Sequence, residues 1–210
     1  MVLLVAALTP VAAAFRARPH VAVPSPSTLP VSWTAVPYKL PVRKDTLPNV
    51  RMPTRFLIGD IAFTSDSEGF VVGGIGQTLH TRDGGVTWTY AKLAVNSLLN
   101  GVTAVDASTV VAVGSGGTIL RSENGGASWS RIESGTTQHL RDVAFADASF
   151  GVAVGMWGTV LVSEDGGRSW RPENAGTRWH LTNVAIDAAG NAIATDSAAS
   201  IVVQRTAHAN

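Results

Sequence analysis

The chain contains no cysteine, and this absence restricts the classes of protein to which it can belong. Without Cys among its 210 residues, neither a disulfide scaffold nor a thiolate metal site is possible. Charged residues are few, at 15%, and the formal net charge of +1 gives no sign of the strongly basic face that nucleic-acid binding usually needs. The 45% of hydrophobic residues fit one soluble domain with an ordinary core, at most peripheral to a membrane.

Acidic residues are also absent from the first 44 positions, which carry five basic residues. Residues 1–14 are apolar and end in small side chains, as in a secretory signal, and they are too few for a membrane span. Residues 15–30 are rich in Arg, Ser and Pro, which predicts a disordered transit or linker segment. The pair resembles the two-part presequences of algae with secondary plastids. The alternative is a frayed apolar N-terminus of a cytosolic protein.

What the chain does contain is an internal repeat. The segments TLHTRDGGVTW, TILRSENGGASW and TVLVSEDGGRSW end in Trp88, Trp129 and Trp170, which are spaced 41 residues apart. An apolar run that ends in glycine precedes each segment, and a short alternating run with strand character precedes that. A weaker fourth copy follows in LTNVAI, NAIAT and SIVVQR.

Each complete repeat therefore predicts four short strands, named a to d, separated by Gly, Asp and Ser turns. Repeats of this length with four strands indicate propeller blades. The predicted fold is all-β: a β-propeller of four-stranded antiparallel blades, with about four blades in residues 31–205 and a tail over residues 206–210.

The hairpin between strands c and d has the pattern [ST]-x-[DN]-x-G-x-[ST]-W, the Asp box. A short carboxylate or amide there can accept hydrogen bonds from its own turn, and the glycines allow positive φ. A structural role is predicted for Thr81, Asp83, Gly85, Trp88, Ser122, Asn124, Gly126, Trp129, Ser163, Asp165, Gly167 and Trp170. A catalytic or metal-binding role is disfavoured because one such hairpin per blade cannot converge on one substrate.

The repeat resembles that of the photosystem II stability/assembly factor family, whose blades read much like AVGxGGTILRSxDGGxSW. The matching segments are Ala112–Trp129 and Ala153–Trp170, with Phe70–Trp88 a looser copy. The resemblance implies a non-catalytic scaffold that binds photosystem II subunits, in a plastid on the lumenal side of the thylakoid. It also implies seven blades, against about four here, so a small propeller, a truncated chain and half of an oligomeric ring stay open.

One segment offers a way to close the ring. Residues Val31–Tyr38 (VSWTAVPY) resemble the d strand that follows an Asp-box Trp. They are predicted to pair beside Ser200–Arg205 and to complete the last blade, which would leave no open edge.

The connections at one end of the blades carry the most varied residues. The b–c turns and d–a connections share this end, and Arg and Trp dominate interface energetics. The candidate partner surface consists of Arg131, His139, Arg141, Trp157, Arg171, Arg178, Trp179 and His180.

Enzymatic functions fit the sequence poorly, so no catalytic residue, metal or cofactor is predicted. A sialidase needs a Tyr nucleophile among three arginines, whereas Tyr38 and Tyr90 lie in or beside d strands. No carboxylate pair is placed for glycoside hydrolysis. His80, His139 and His180 lie in different blades, where surface or packing roles are expected. The alternative function is that of a secreted or periplasmic Asp-box propeller that binds or hydrolyses glycans.

Overall fold

The computed structural model describes residues 57–196 and 201–205, and this part of the chain forms four antiparallel sheets in sequence order. The first sheet contains β1 Ile58–Phe63, β2 Gly69–Gly73, β3 Gln77–Thr81 and β4 Thr89–Lys92. The second contains β5 Leu99–Ala104, β6 Val110–Gly114, β7 Ile119–Ser122 and β8 Ser130–Ile132. The third contains β9 Leu140–Phe145, β10 Gly151–Gly155, β11 Thr159–Ser163 and β12 Arg171–Asn174. The fourth contains β13 Leu181–Ile186, β14 Ala192–Asp196 and β15 Ile201–Arg205.

Each sheet is an up-and-down meander, so consecutive strands are hydrogen-bonded neighbours. In the third sheet Gly151 pairs with Phe145 on one side and with Ser163 on the other, and Val162 pairs with Arg171. The equivalent registers recur in the other sheets. The predicted all-β propeller of four-stranded antiparallel blades is therefore confirmed, with the fourth blade described as strands a to c.

The hydrophobic core lies between the blades rather than within any one of them. Three clusters of buried side chains fill the three contacts between successive blades. In the contact between the second and third blades, Val111 and Val113 of β6 pack against Leu140, Val143 and Phe145 of β9. Each blade thus depends on its neighbours to bury its apolar face, as in other repeat proteins.

The first and innermost strand of each of the first three blades also bonds to the next blade through a side chain. Asp60 Oδ2 accepts the amide of Val102 at 3.0 Å, and Asp142 Oδ2 accepts the amide of Val184 at 2.8 Å. Between these two contacts, Asn100 Nδ2 donates to the carbonyl of Leu140 at 2.7 Å. These bonds fix the register of one innermost strand against the next.

The first blade has an open side. Ile58, Ile61 and Phe63 are 63%, 45% and 44% exposed, whereas the residues 82 positions later, Leu140, Val143 and Phe145, are buried against the second blade. Within the described residues no blade covers this side of β1. The segment Val31–Tyr38 lies outside the described residues, so its predicted pairing beside Ser200–Arg205 stays a prediction. Ser200 and residues 1–14, 15–30 and 206–210 also lie outside the described residues.

Candidate functional site

The blades present two faces, each formed by its own set of connections. The a–b turns and the Asp-box hairpins form the first, here called the hairpin face, where the amide of Gly166 donates to the carbonyl of Ser149 at 2.8 Å. The b–c turns and the d–a connections form the opposite one, the loop face, where the amide of Met156 donates to the carbonyl of His139 at 2.9 Å. The Asp-box residues recur from blade to blade on the hairpin face, whereas the residues of the loop face differ between blades.

The Asp box of the third blade is a closed network of hydrogen bonds. Asp165 Oδ1 accepts the Ser163 hydroxyl at 2.8 Å and the Ser169 amide at 2.9 Å, and its Oδ2 accepts the Ser169 hydroxyl at 2.6 Å. Ser163 Oγ in turn accepts the amide of Gly167 at 2.8 Å. The Trp170 indole donates to the carbonyl of Gly167 at 3.2 Å and packs edge-to-face on Phe145. Both carboxylate oxygens are therefore used within the turn.

The same network recurs in the first two blades. Asp83 accepts the Thr81 hydroxyl together with the amide and hydroxyl of Thr87. These bonds, above all those from Thr87, lower the pKa of Asp83 to about 2. Asn124 replaces the carboxylate in the second blade and makes the matching contacts through its amide group. An uncharged amide thus fits the same turn.

The Asp-box residues do not converge on a common site. They lie one set per blade on the hairpin face, and the carboxylates of Asp83 and Asp165 are occupied by their own turns. In the portion of the chain that the structure describes, no group of three or more His, Asp or Glu residues could hold a metal ion.

Six of the eight residues of the candidate partner surface lie on the loop face: His139, Arg141, Trp157, Arg178, Trp179 and His180. Arg131 and Arg171 lie instead on the outermost strands β8 and β12. The structure corrects the placement of Arg171, which directly follows the Asp-box Trp170. Its Nη2 lies 2.8 Å from Oε1 of Glu164 in the hairpin, so this guanidinium belongs to the hairpin face.

The two histidines of the loop face connect successive blades. Nδ1 of His139 accepts the amide of Gly116 at 3.0 Å, and Nδ1 of His180 accepts the amide of Trp157 at 3.0 Å. A ring nitrogen that accepts a backbone N–H carries no proton, so both rings serve as acceptors in this arrangement. Leu98 stands at the equivalent position one repeat earlier and pairs by a β-bridge with Ile75.

The innermost strands line an open cavity of about 300 Å³ along the axis of the blades. Ala62, Thr103, Ala144 and Ala185, each 41 residues apart, contribute small side chains to its wall. A second cavity of about 310 Å³ lies at its mouth on the loop face, where Arg141 occurs with Gly59, Asn100 and Thr182 at the same repeat position. Arg141 is thus the one cation among the four equivalent positions at this mouth.

Some residues that shape the site were missed by sequence reasoning. Asp60 and Asp142 connect the innermost strands, and their spacing of twice the repeat length is the signal that could have revealed them. His80 lies on β3, and its ring stacks on that of Phe70 with 4.4 Å between the centroids. Its Nε2 lies 3.6 Å from Oε1 of Glu68. Burial, reinforced by the charge of Arg82, lowers the pKa of His80 below its ordinary value.

Comparisons with known proteins agree with this architecture. A structure described as YCF48 bound to D1 peptide superimposes with a TM-score of 0.59 at 24% identity, over 70% of this chain and 49% of that one. YCF48 from Cyanidioschyzon merolae gives 0.56 at 27% identity, over 70% and 52%. The WD40 β-propeller domain of Doa1 gives 0.59 at 12% identity, over 70% and 50%. The fold and the repeated hairpins define an Asp-box β-propeller.

The family model of the photosynthesis system II assembly factor YCF48 matches residues 42–137. Together with the YCF48 structures, this match confirms the resemblance to the photosystem II stability/assembly factor family. The chain spans about half the length of the YCF48 structures that it matches. No curated protein matches the chain. Among the described residues, no helix has both the length and the apolar character needed to cross a membrane.

Proposed function

We propose that this chain is a non-catalytic, protein-binding scaffold that acts on photosystem II subunits during their assembly or repair. The observation that carries the proposal is the match of residues 42–137 to the photosystem II assembly factor family. One structural relative is described as YCF48 bound to D1 peptide, which supports a peptide of the D1 subunit as the ligand of this chain.

The loop face supplies the surface for such a partner in this proposal. It carries two exposed guanidinium groups, Arg141 and Arg178, and two exposed indoles, Trp157 and Trp179. Arginine and tryptophan are over-represented among the residues that dominate binding energy at protein interfaces. The hairpin face is less suitable because the polar groups of its Asp boxes bond within their own turns.

The proposed location is the plastid, on the lumenal side of the thylakoid. Residues 1–14 and 15–30 serve in this proposal as the presequence, because an apolar segment is followed by an acid-free, Arg-rich and Ser-rich segment. N-terminal sequencing of the native protein tests this part. Recovery of Met1 would contradict it.

Binding of the purified chain to overlapping peptides that cover the D1 subunit tests the proposal, with fluorescence anisotropy as the readout. At least one peptide is expected to bind, and the affinity is expected to fall as salt is added, because exposed cations contribute to recognition. The double variant Arg141→Gln/Arg178→Gln should bind more weakly. Arg82→Gln, which removes a 71% exposed arginine from the hairpin face, is the matched control and should bind like the parent chain.

Two results would contradict the proposal in different ways. If no D1 peptide binds, the proposed identity of the partner is wrong. If a peptide binds but Arg82→Gln weakens it more than the double variant does, the loop face is wrong.

A further inference from the structure

Trp157 combines a constrained backbone with an exposed side chain. Its φ is +58°, and it is the one residue other than glycine with positive φ in the described part of the chain. The indole is 63% exposed, so burial of the ring does not explain why a large side chain occupies this position. Left-handed backbone is unfavourable for residues with a Cβ, and such residues persist mainly where function requires them.

The preceding blade provides an internal comparison. Gly116 stands one repeat before Trp157 in a turn of the same shape, with φ of +65°, so the turn itself forms with glycine. Trp179, which is 70% exposed, likewise corresponds to Gln138 in the preceding connection. Both tryptophans are therefore additions to a framework that the second and third blades share.

A backbone hydrogen bond joins the two loops that carry these tryptophans, and the pair is here called the tryptophan ledge. The amide of Gly158, directly after Trp157, donates to the carbonyl of Trp179 at 2.9 Å. The His180 ring accepts the Trp157 amide and meets the Trp157 ring edge-to-face at 4.7 Å between centroids. The backbones of both tryptophans and the ring of Trp157 are thus held before any partner arrives, which reduces the entropy lost on binding.

The chemistry around the ledge favours one class of occupant. Arg178 is exposed and directly precedes Trp179 in the sequence, and Arg141 lies on the same face at the mouth of the axial cavity. Guanidinium groups donate hydrogen bonds but accept none, and the Trp157 and Gly158 amides are already used. Sugar hydroxyls need both donors and acceptors, whereas a peptide with an apolar side chain and a carboxylate needs an apolar platform and a cation.

We propose that the tryptophan ledge is the main contact for a peptide segment that places an apolar side chain on the indoles and a carboxylate near Arg178. This inference rests on the proposed function and specifies the chemistry that its partner must have. The platform and the cation together would favour acidic segments with an apolar anchor over neutral or basic ones.

The test exchanges the ledge for the residues of the preceding blade. The double variant Trp157→Gly/Trp179→Gln installs the equivalents of Gly116 and Gln138. Because glycine at position 157 adopts the positive φ without strain, we expect the melting temperature of the double variant to be unchanged or higher. With the tightest-binding D1 peptide as the probe, the dissociation constant is expected to rise at least about tenfold, as for the loss of a tryptophan hot spot. Replacement of acidic residues in that peptide by their amides should also weaken binding to the parent chain.

The control variant is Gln138→Ala, which alters the equivalent position of the preceding connection and should leave binding unchanged. Equal affinity of the parent chain and the double variant would overturn the ledge while leaving the proposed function intact. Absence of peptide binding by the parent chain would overturn both. Binding of neutral oligosaccharides that is lost in the double variant, without peptide binding, would assign the ledge to glycans and overturn the peptide inference.

Discussion

The first and third blades have the same sequence pattern, but their innermost strands lie in different environments. Phe63 and Phe145 occupy equivalent positions, and each meets the Asp-box tryptophan of its own blade edge-to-face, at 6.4 Å and 5.9 Å. Phe63 is nevertheless 44% exposed, whereas Phe145 is 5% exposed. The difference arises because the second blade covers β9, while no described residue covers the corresponding side of β1.

This comparison separates two kinds of interaction that the repeat encodes together. The contacts within a blade, such as those of Phe with Trp and of the Asp box, form in the first blade as they do in the third. The contacts between blades bury the remaining apolar surface and require a neighbour. A blade is therefore a local unit of geometry, but its stability depends on adjacent blades.

The largest expected effect comes from truncation of the covered phenylalanine. Phe145→Ala should lower the free energy of unfolding by about 3–5 kcal/mol, because it leaves a cavity between two blades. Phe63→Ala removes a half-exposed ring and should cost less than about 1.5 kcal/mol. Urea unfolding of both variants gives the two values. Equal, large losses would show that another segment covers β1 in solution and would abolish the distinction.

An intermediate effect is expected from the Asp box, which is equivalent in the two blades. Asp165→Ala removes the acceptor for two hydroxyls and one amide, which should cost about 1–3 kcal/mol in a urea titration. The control Asp165→Asn should cost much less, because Asn124 makes the matching contacts in the second blade. If Asp165→Ala abolished peptide binding without loss of stability, the structural role of the motif would be wrong.

The smallest expected effect is a dependence of stability on acid. The pKa of Asp83 falls to about 2, while the same carboxyl in the unfolded chain keeps its ordinary value of 3.8. A lowered pKa in the folded state adds stability above the unfolded value, and this contribution disappears as the pH falls from about 4 towards 2.

The pH effect also has an internal control in this chain. Asp83→Asn, which installs the residue type that Asn124 supplies in the second blade, should make the acid-induced loss of stability less steep between those values, as measured by melting temperature against pH. An unchanged slope would contradict the lowered pKa of Asp83.

The pKa of Asp165 is lowered as well. Burial opposes this shift, but hydrogen bonds from Ser169 and Ser163 outweigh it.

Much of the fold could be predicted because the repeat encodes each blade locally. The spacing of Trp88, Trp129 and Trp170 and the alternating runs before them predict four strands per blade, and the structure contains these strands. The loop face was predicted less well. Sequence reasoning places Arg171 on the loop face, yet Arg171 follows the hairpin directly and its side chain pairs with Glu164. Strand polarity decides the face of a strand-end residue, and Arg171 is the first residue of β12, at the end next to the hairpin.

The individual blade is encoded in the sequence alone, because turn glycines, Asp-box hydrogen bonds and strand alternation all act within about 41 residues. Which side chains of equivalent sequence become buried depends on the assembled blades, since Ile58 and Leu140 differ in whether an adjacent blade is present. The tryptophan ledge also requires the folded chain. Trp157 and Trp179 are distant in sequence, and the pairing of two loops brings them together through the bond from Gly158 to Trp179.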